Sequence, residues 1–259
     1  MECKNCNYSL RTDYLYCPAC GAKVIRNRIT VKNIAYDISE RFFNLDNTFI
    51  KTFWHLFTKP HVVIGGYIDG IRKKYMNPIS YITIALTLSG ILLFFLRKYF
   101  KDIIEWNSIS NGQNDVANSK IMELMFDYNS FIFLLYIPIL AIASYLAINK
   151  GKYNLPEYFV TFIYILAQYS ILSFPISIGV LLISPEQYLT IGLPLVFFIF
   201  FYSVYVLQKM NTYKIKHLIP RSMLYSFLTF VGFIGLIIVF VIVLFVTGVL
   251  SLEDFAPPK

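Results

Sequence analysis

Four cysteines near the amino terminus form two pairs with the same internal spacing. Cys3, Cys6, Cys17 and Cys20 follow the pattern C-x2-C-x10-C-x2-C and are the only cysteines in the chain. Two residues between ligands let both sulfurs of a pair point at one metal ion, so this spacing predicts a tetrahedral zinc site. A redox-active pair or an iron–sulfur cluster is the alternative use of such cysteines. Four thiolates leave no open coordination position, and we therefore expect one structural Zn²⁺ and no metal catalysis.

Each pair is followed by a residue that tolerates a left-handed backbone, Asn7 after the first pair and Gly21 after the second. We predict that residues 1–28 form a small two-stranded zinc ribbon. About 20 residues cannot bury a core of their own, so the metal would hold the fold together. The basic surplus of this segment could contact nucleic acid, but its closeness to apolar sequence favours a patch beside a membrane.

The rest of the chain is too apolar for an ordinary soluble domain. Hydrophobic residues make up 57% of it and charged residues 15%, with a mean hydropathy of +0.58. The apolar residues fall in five runs without Asp, Glu, Lys, Arg or His, and each run is close to or above the ~18–20 residues that span a bilayer as a helix. We predict an all-α polytopic membrane protein with five spans at about 78–96, 131–148, 159–183, 188–207 and 223–250, followed by a short tail at 251–259.

The distribution of basic residues predicts the orientation of these spans. With the amino terminus inside, the inner segments carry 18 Lys and Arg and the outer segments carry 5. No apolar signal sequence precedes residue 28, so we expect a cytoplasmic amino terminus, where thiols stay reduced, and an outside carboxyl terminus. Arg97 and Lys98 lie at the predicted outer end of the first span, and we interpret them as snorkelling anchors.

Residues 29–77 alternate apolar and basic positions at helical spacing, which predicts amphipathic helices beside the membrane. Around residues 49–57 the aromatic and aliphatic side chains share one face, and Lys51, Thr52 and His55 lie opposite. Such helices can lie among lipid headgroups or pack on the protein's own inner loops, and both arrangements are open.

A basic cluster of Arg72, Lys73 and Lys74 directly precedes the first span. Cations at this position can anchor the span and attract anionic lipid at the membrane surface.

Polar and small residues inside the spans are expected to serve helix packing. Gly232, Gly235 and the pair Ala143 and Ala147 allow helices to approach closely. We interpret Gln168 as the donor or acceptor of an interhelical hydrogen bond.

The segment FIKTFWHLFTKPHVVIGGYIDGIRKKYMNPISYI, residues 49–82, resembles bacterial membrane proteins grouped under domain of unknown function 3667. The shared pattern is Thr, a short apolar stretch, Pro, then Tyr-Ile-x-Gly-x-Arg-Lys-x-Tyr and a Pro that opens the first span. The matching positions are Thr52, Pro60, Tyr67, Ile68, Gly70, Arg72, Lys73, Tyr75 and Pro78.

This resemblance implies a multi-pass protein of the bacterial cytoplasmic membrane whose amino-terminal zinc ribbon is similar to residues 3–21. It implies no activity, because the family is uncharacterised. Family members often carry Glu-His before the third span, whereas this chain has Glu157 and Tyr158. A weaker likeness in layout links the chain to five-span Yip1-type proteins.

The sequence contains no catalytic motif that we recognise. An enzyme acting at the inner interface would have to use His55, His61, Asp69 or Glu157, and His217 is the remaining histidine. The spans carry no ionisable group for proton coupling.

We therefore expect a non-catalytic membrane protein, in contact with membrane lipids, whose zinc-stabilised cytoplasmic module binds a protein partner or anionic lipid. The alternative is a transporter or channel for an apolar or lipid-like solute. Nucleic acid is not an expected partner.

Overall fold

The computed structural model describes residues 2–22, 24, 45–99, 124, 127–188 and 190–249. The chain divides into two compact units, residues 1–46 and residues 47–259, which are described separately. The first part of the predicted amphipathic segment, 29–44, and the predicted tail, 251–259, lie outside the described residues.

The first unit consists of tight turns around the cysteines. Within its described residues, Glu2 and Ser9 form an isolated antiparallel bridge and Tyr16 is also a bridge residue, but a longer strand of the predicted ribbon is absent among them. The hydrogen bond of 2.9 Å from the N–H of Cys3 to the carbonyl of Tyr8 is the bond of the first bridge. The bridges are short because the chain turns beside each cysteine pair, where the N–H of Asn7 bonds to the carbonyl of Cys3 and the N–H of Gly21 to that of Cys17.

Two short helices open the second unit, α1 (Leu45–Thr58) and α2 (Pro60–Ile68). Pro60 has no N–H and is found at the first position of α2, where that group would have no helical partner. Gly70 then adopts φ +91°, a left-handed conformation that favours glycine, and turns the chain out of α2. We call residues 69–77, between α2 and the next helix, the motif loop.

Five longer helices follow, and all are long and apolar enough to cross a membrane. They are α3 (Pro78–Tyr99), α4 (Asn129–Ile148), α5 (Leu155–Ile183), α6 (Gly192–Asn211) and α7 (Ile215–Val246). A 3-10 turn, Pro185–Gln187, precedes α6. The five spans predicted from the sequence are thus matched by five candidate spans in the described residues.

Several span boundaries differ from the prediction. Helix α5 begins at Leu155 instead of residue 159, α6 ends at Asn211 instead of residue 207, and α7 ends at Val246 instead of residue 250. The fourth span was expected to begin at residue 188 but α6 begins at Gly192, because residues 185–187 form the 3-10 turn. The fifth was expected to begin at residue 223 but α7 begins at Ile215, since hydropathy detects the apolar run and misses the basic helical turns before it.

Helix α5 is the centre of the bundle. It packs against α3, α4 and α6, and 44% of the residues in its most apolar 18-residue stretch are buried inside the protein. Helix α7 packs mainly on α4, and only 6% of the residues in its most apolar 18-residue stretch are buried. Most of its apolar side chains therefore face outward. This is the distribution expected of a peripheral helix that lies in lipid.

Small residues allow α4 and α7 to approach closely. The sequence predicted this role for Gly232 and Gly235, and the structure shows it for Gly232. A Cβ added to Gly232 would lie 2.6 Å from the Cγ2 of Ile139, whereas a Cβ on Gly235 would meet nothing within 4 Å. Ala143 and Ala147 are both almost fully buried, which agrees with their predicted packing role.

The ends of the bundle differ in charge. We call the end that holds the motif loop, residues 149–154 and residues 212–214 the basic end. Residues 47–77, 149–158 and 208–222 together carry eleven Lys and Arg and two acids.

At the opposite end, Arg97 donates a hydrogen bond of 2.6 Å to Asp127, and Lys98 lies over the rings of Phe94 and Tyr99. Arg97 and Lys98, which lie at the predicted outer end of the first span, are thus held by neighbours at their own end of the bundle.

Candidate functional site

The four cysteine side chains converge on one point. Their sulfur atoms all lie within 4.8 Å of one another. The Sγ atoms of Cys3 and Cys20 are 3.7 Å apart, and those of Cys6 and Cys17 are 3.6 Å apart. Zinc–sulfur bonds of about 2.3 Å place neighbouring sulfurs of a tetrahedron about 3.8 Å apart. The spacing of these thiols therefore fits a tetrahedral metal site.

The two cysteine turns have the same backbone geometry. In the first, the N–H of Asn7 bonds to the carbonyl of Cys3 at 2.8 Å, and in the second the N–H of Gly21 bonds to the carbonyl of Cys17 at 2.8 Å. Asn7 has φ +57° and Gly21 has φ +69°. The predicted left-handed positions are confirmed at both turns, and they direct each pair of thiols inward.

Hydrogen bonding within the cluster shifts the pKa values of two of the thiols in opposite directions. A hydrogen bond from the Asn5 side chain, helped by the backbone of Ala22, lowers the pKa of Cys20 to about 6. A backbone hydrogen bond from Tyr8 also lowers the pKa of Cys6, but the neighbouring thiols and burial outweigh it and raise that pKa to about 12. The closely spaced thiols therefore do not ionise independently of one another.

In the second unit, the motif loop is fastened to α1 by side chains of the motif. The Oγ1 of Thr52 accepts a hydrogen bond of 2.9 Å from the N–H of Met76 and donates one of 2.6 Å to the carbonyl of Thr48. Thr52 is fully buried, although its position in the helical pattern predicted a polar face. The hydrogen bonds explain the difference, because they satisfy the hydroxyl away from water.

A second contact joins the same two elements. The Nδ1 of His55 and the hydroxyl of Tyr75 are 2.7 Å apart, and the two rings meet edge to face. Burial raises the pKa of Tyr75, which keeps its hydroxyl protonated. His55 therefore has a structural partner on the motif loop.

Helix α1 is also held by polar groups of the candidate spans. Tyr202 and Tyr205 of α6 donate to the carbonyls of Leu56 and Phe57 at 3.1 Å and 2.8 Å. These carbonyls belong to the last turn of α1, which lacks helical partners of its own. Of the two arrangements left open by the sequence, packing on the protein itself is therefore present for α1.

Gln168 links three elements. Its Oε1 accepts a hydrogen bond from the hydroxyl of Tyr81 in α3, and its Nε2 donates one of 3.2 Å to the carbonyl of Phe53 in α1. The prediction that Gln168 makes an interhelical hydrogen bond is confirmed. The carbonyl of Phe53 as its second partner was not predicted, because hydropathy shows no link between α1 and α5.

The predicted basic cluster is exposed and is organised by tyrosines. The guanidinium of Arg72 lies 5.5 Å from the ring centre of Tyr67. The ammonium groups of Lys74 and Lys51 lie 5.7 Å and 5.8 Å from the ring centre of Tyr75. Cation–π contacts of this kind hold the cations on the rings while leaving them open to solvent.

Apolar side chains are exposed on the same elements as these cations. Ile50 and Trp54, one turn apart on α1, are 53% and 61% exposed, and Ile71, next to Arg72, is 51% exposed. A tryptophan and aliphatic side chains beside cations are typical of a helix at a membrane–water interface. We call Ile50, Trp54 and residues 71–74 the interfacial surface.

Other cations at the basic end cap helices. The ammonium of Lys152 donates to the carbonyl of Met210 at 3.3 Å, and Arg221 donates to the carbonyl of Ala147 at 3.3 Å. Lys150 and Arg221 both lie over the ring of Tyr213, at 4.0 Å and 4.9 Å. Positive groups at helix carboxyl termini are stabilising, so these cations serve the fold.

Two of the four residues that an enzyme would have to use, His55 and Glu157, have structural hydrogen-bond partners. His61 and His217 are exposed, and His55 is bonded to Tyr75. Glu157 accepts a hydrogen bond of 2.8 Å from the N–H of Asn154 and completes the capping box of α5.

Tyr158, at the position where the resemblance implies His in family members, is buried against α6. Its hydroxyl accepts a hydrogen bond of 3.3 Å from the side chain of Asn211. The exposed fraction of Tyr158 is 1%, so this position is part of the core in this chain.

The comparisons with known proteins agree with the motif. The model of a family described as a protein of unknown function (DUF3667) matches residues 46–90, which contain nearly all of α1, all of α2, the motif loop and the first half of α3. Neither a curated protein nor a solved structure matches the chain. The chain is therefore similar, over residues 46–90, to the family of unknown function that its motif predicted.

Proposed function

We propose that this chain is a non-catalytic integral membrane protein that binds anionic lipid at the interfacial surface, while its first unit folds around one structural Zn²⁺. The observation that carries the proposal is the placement of Arg72 and Lys74 over tyrosine rings, on a surface that also exposes Ile50, Trp54 and Ile71. Apolar side chains would enter the headgroup region while the cations meet lipid phosphates.

The rigid support of this surface favours a binding role over simple anchoring. Thr52 and His55 fix the motif loop on α1, and Tyr202 and Gln168 fix α1 on the bundle. A cation held in one place loses less entropy on binding than a cation on a mobile loop. The family match spans the same elements, which supports a shared role for them.

Purified protein in mild detergent provides the test. We expect native mass spectrometry to detect retained phosphatidylglycerol in preference to phosphatidylcholine. We also expect retention to fall as the salt concentration rises, because salt screens the attraction between exposed charges, with a Debye length of ~10 Å at 0.1 M. Equal retention of the two lipids, independent of salt, would contradict the proposal.

The proposal places the basic end in the cytoplasm, following the positive-inside distribution. With five spans, the carboxyl terminus is then outside, in a bacterial cytoplasmic membrane. A carboxyl-terminal fusion to a reporter that is active only outside the cytoplasm is expected to be active. Activity of a cytoplasmic reporter at the same position would refute this topology.

The first unit supports a second candidate role, docking of a cytoplasmic protein. Leu15, Tyr16 and Tyr8 are 71%, 55% and 47% exposed. A photocrosslinking residue at position 15 should label a partner that a probe at Arg11 does not label, and Cys17→Ser should abolish the adduct. Equal labelling from both positions would argue against specific docking.

A further inference from the structure

A cavity of about 770 Å³ lies among the five candidate spans, away from the interfacial surface. All five helices contribute to its wall. Along α4 it extends from Asn129 to Leu140, which is about 16 Å at 1.5 Å per residue. It therefore covers about half of a hydrocarbon core ~30 Å thick, in the half away from the basic end.

The cavity is closed toward the basic end. The hydroxyls of Ser203 in α6 and Tyr225 in α7 are 3.2 Å apart, and both residues line the cavity. The ring of Tyr225 also stacks on Phe200, with centres 6.0 Å apart. These contacts close the α6–α7 side of the cavity at the end nearest the basic end, which favours binding over passage across the membrane.

The cavity opens sideways where α6 and α7 separate. Val196 of α6 and Phe230 of α7 line it, yet they are 59% and 64% exposed. Because these two residues both line the cavity and are largely exposed, they mark its opening, which we call the mouth. Because both helices are candidate spans, the mouth would face lipid and would admit molecules from one leaflet.

The chemistry of the wall defines the occupant. No lining residue among those the structure describes is Asp, Glu, Lys, Arg or His. An unpaired charge would be costly to bury there. Tyr136 and Tyr169 line the same cavity, and their hydroxyls make no hydrogen bond to any described residue. They would bond to a polar group on an otherwise apolar ligand.

We propose that this cavity binds an uncharged lipid that carries a hydroxyl or carbonyl group, such as a diacylglycerol, and that the lipid enters from the leaflet away from the basic end. Its polar group bonds to Tyr136 and Tyr169, and its chain lies along α4. This site is separate from the anionic-lipid surface and does not depend on it.

The test uses the full chain in phosphatidylcholine nanodiscs with a photoreactive diacylglycerol as the probe. We expect labelling that maps to the lining residues and is displaced by unlabelled diacylglycerol but not by phosphatidylglycerol. Tyr169→Phe removes one hydroxyl and keeps the ring, so it should weaken labelling about fivefold, as expected for one neutral hydrogen bond.

Two variants of α7 form a matched pair for the mouth. Ser226 lines the cavity and is exposed, so Ser226→Phe should obstruct the mouth and reduce labelling about tenfold or more without disturbing a core. Val239 is 61% exposed and does not line the cavity, so the Val239→Phe variant should be labelled to the same extent as the unmodified chain. Equal labelling of the two variants, equal displacement by phosphatidylglycerol, or no labelling would each overturn the proposal.

Discussion

The Oγ1 of Thr52 accepts a hydrogen bond of 2.9 Å from the backbone N–H of Met76, and this contact fastens the motif loop to α1. Both residues lie in the segment that matches the family of unknown function. The Tyr75 hydroxyl bonds to His55 in the same region. These motif residues thus build a scaffold, and the scaffold presents the cations.

The Thr52 contact can be tested by substitution within α1. Thr52→Val keeps the shape of the side chain but leaves the N–H of Met76 without its partner, which should cost about 1–3 kcal/mol of unfolding free energy. Thr58 is exposed on the same helix, so Thr58→Val should cost less than about 0.5 kcal/mol. Unfolding of the purified variants in detergent measures both, and equal losses would contradict the role of Thr52.

The contact between α4 and α7 gives a second matched pair. Alanine at position 232 would place its Cβ 2.6 Å from Ile139, on a stiff β-branched side chain, and overpacking of this kind costs about 1–3 kcal/mol. Alanine at position 235 meets open space and should be neutral or stabilising, because alanine favours a helix more than glycine. Thermal unfolding should therefore rank Gly232→Ala below Gly235→Ala, and the reverse order would disprove the close approach.

The cysteine cluster predicts a defined metal content. Elemental analysis of the purified chain should find about one zinc per chain and no iron, and Cys17→Ser should release the zinc because three ligands hold it more weakly. Chelation should also expose residues 2–22 to protease. Iron with sulfide, or protection that is unchanged after complete zinc removal, would be incompatible with a structural zinc site.

The sequence predicted the elements that depend on one local property. Apolar runs predicted five spans, and the positive φ of Asn7 and Gly21 followed from the residue types after each cysteine pair. These predictions are sound because the thickness of the hydrocarbon core sets the length of an apolar span, and because few residue types tolerate a left-handed backbone.

The sequence did not predict the contacts between distant elements. Thr52 looked like a solvated position because helical periodicity cannot show that Met76, 24 residues later, would supply a donor. Tyr202 and Tyr205 looked like ordinary span residues because nothing local indicates that they would bind carbonyls of α1. Such pairs depend on packing, which hydropathy does not contain.

The binding of anionic lipid at the interfacial surface is the central claim, and one comparison tests it most directly. The triple variant Arg72→Gln, Lys73→Gln, Lys74→Gln removes three charges from that surface. The matched variant Lys209→Gln, Lys214→Gln, Lys216→Gln removes three exposed charges from the same end of the bundle. Each cation near an anionic surface contributes about 1 kcal/mol, so removal of three cations should lower the affinity of the first variant roughly a hundredfold.

The measurement is titration of phosphatidylglycerol into both variants and the unmodified chain, followed by native mass spectrometry. The account predicts a large loss of affinity for the first variant and a much smaller loss for the second. Equal losses would show that only net charge matters, and unchanged affinity in the first variant would show that the lipid binds elsewhere. Either result would contradict the claim.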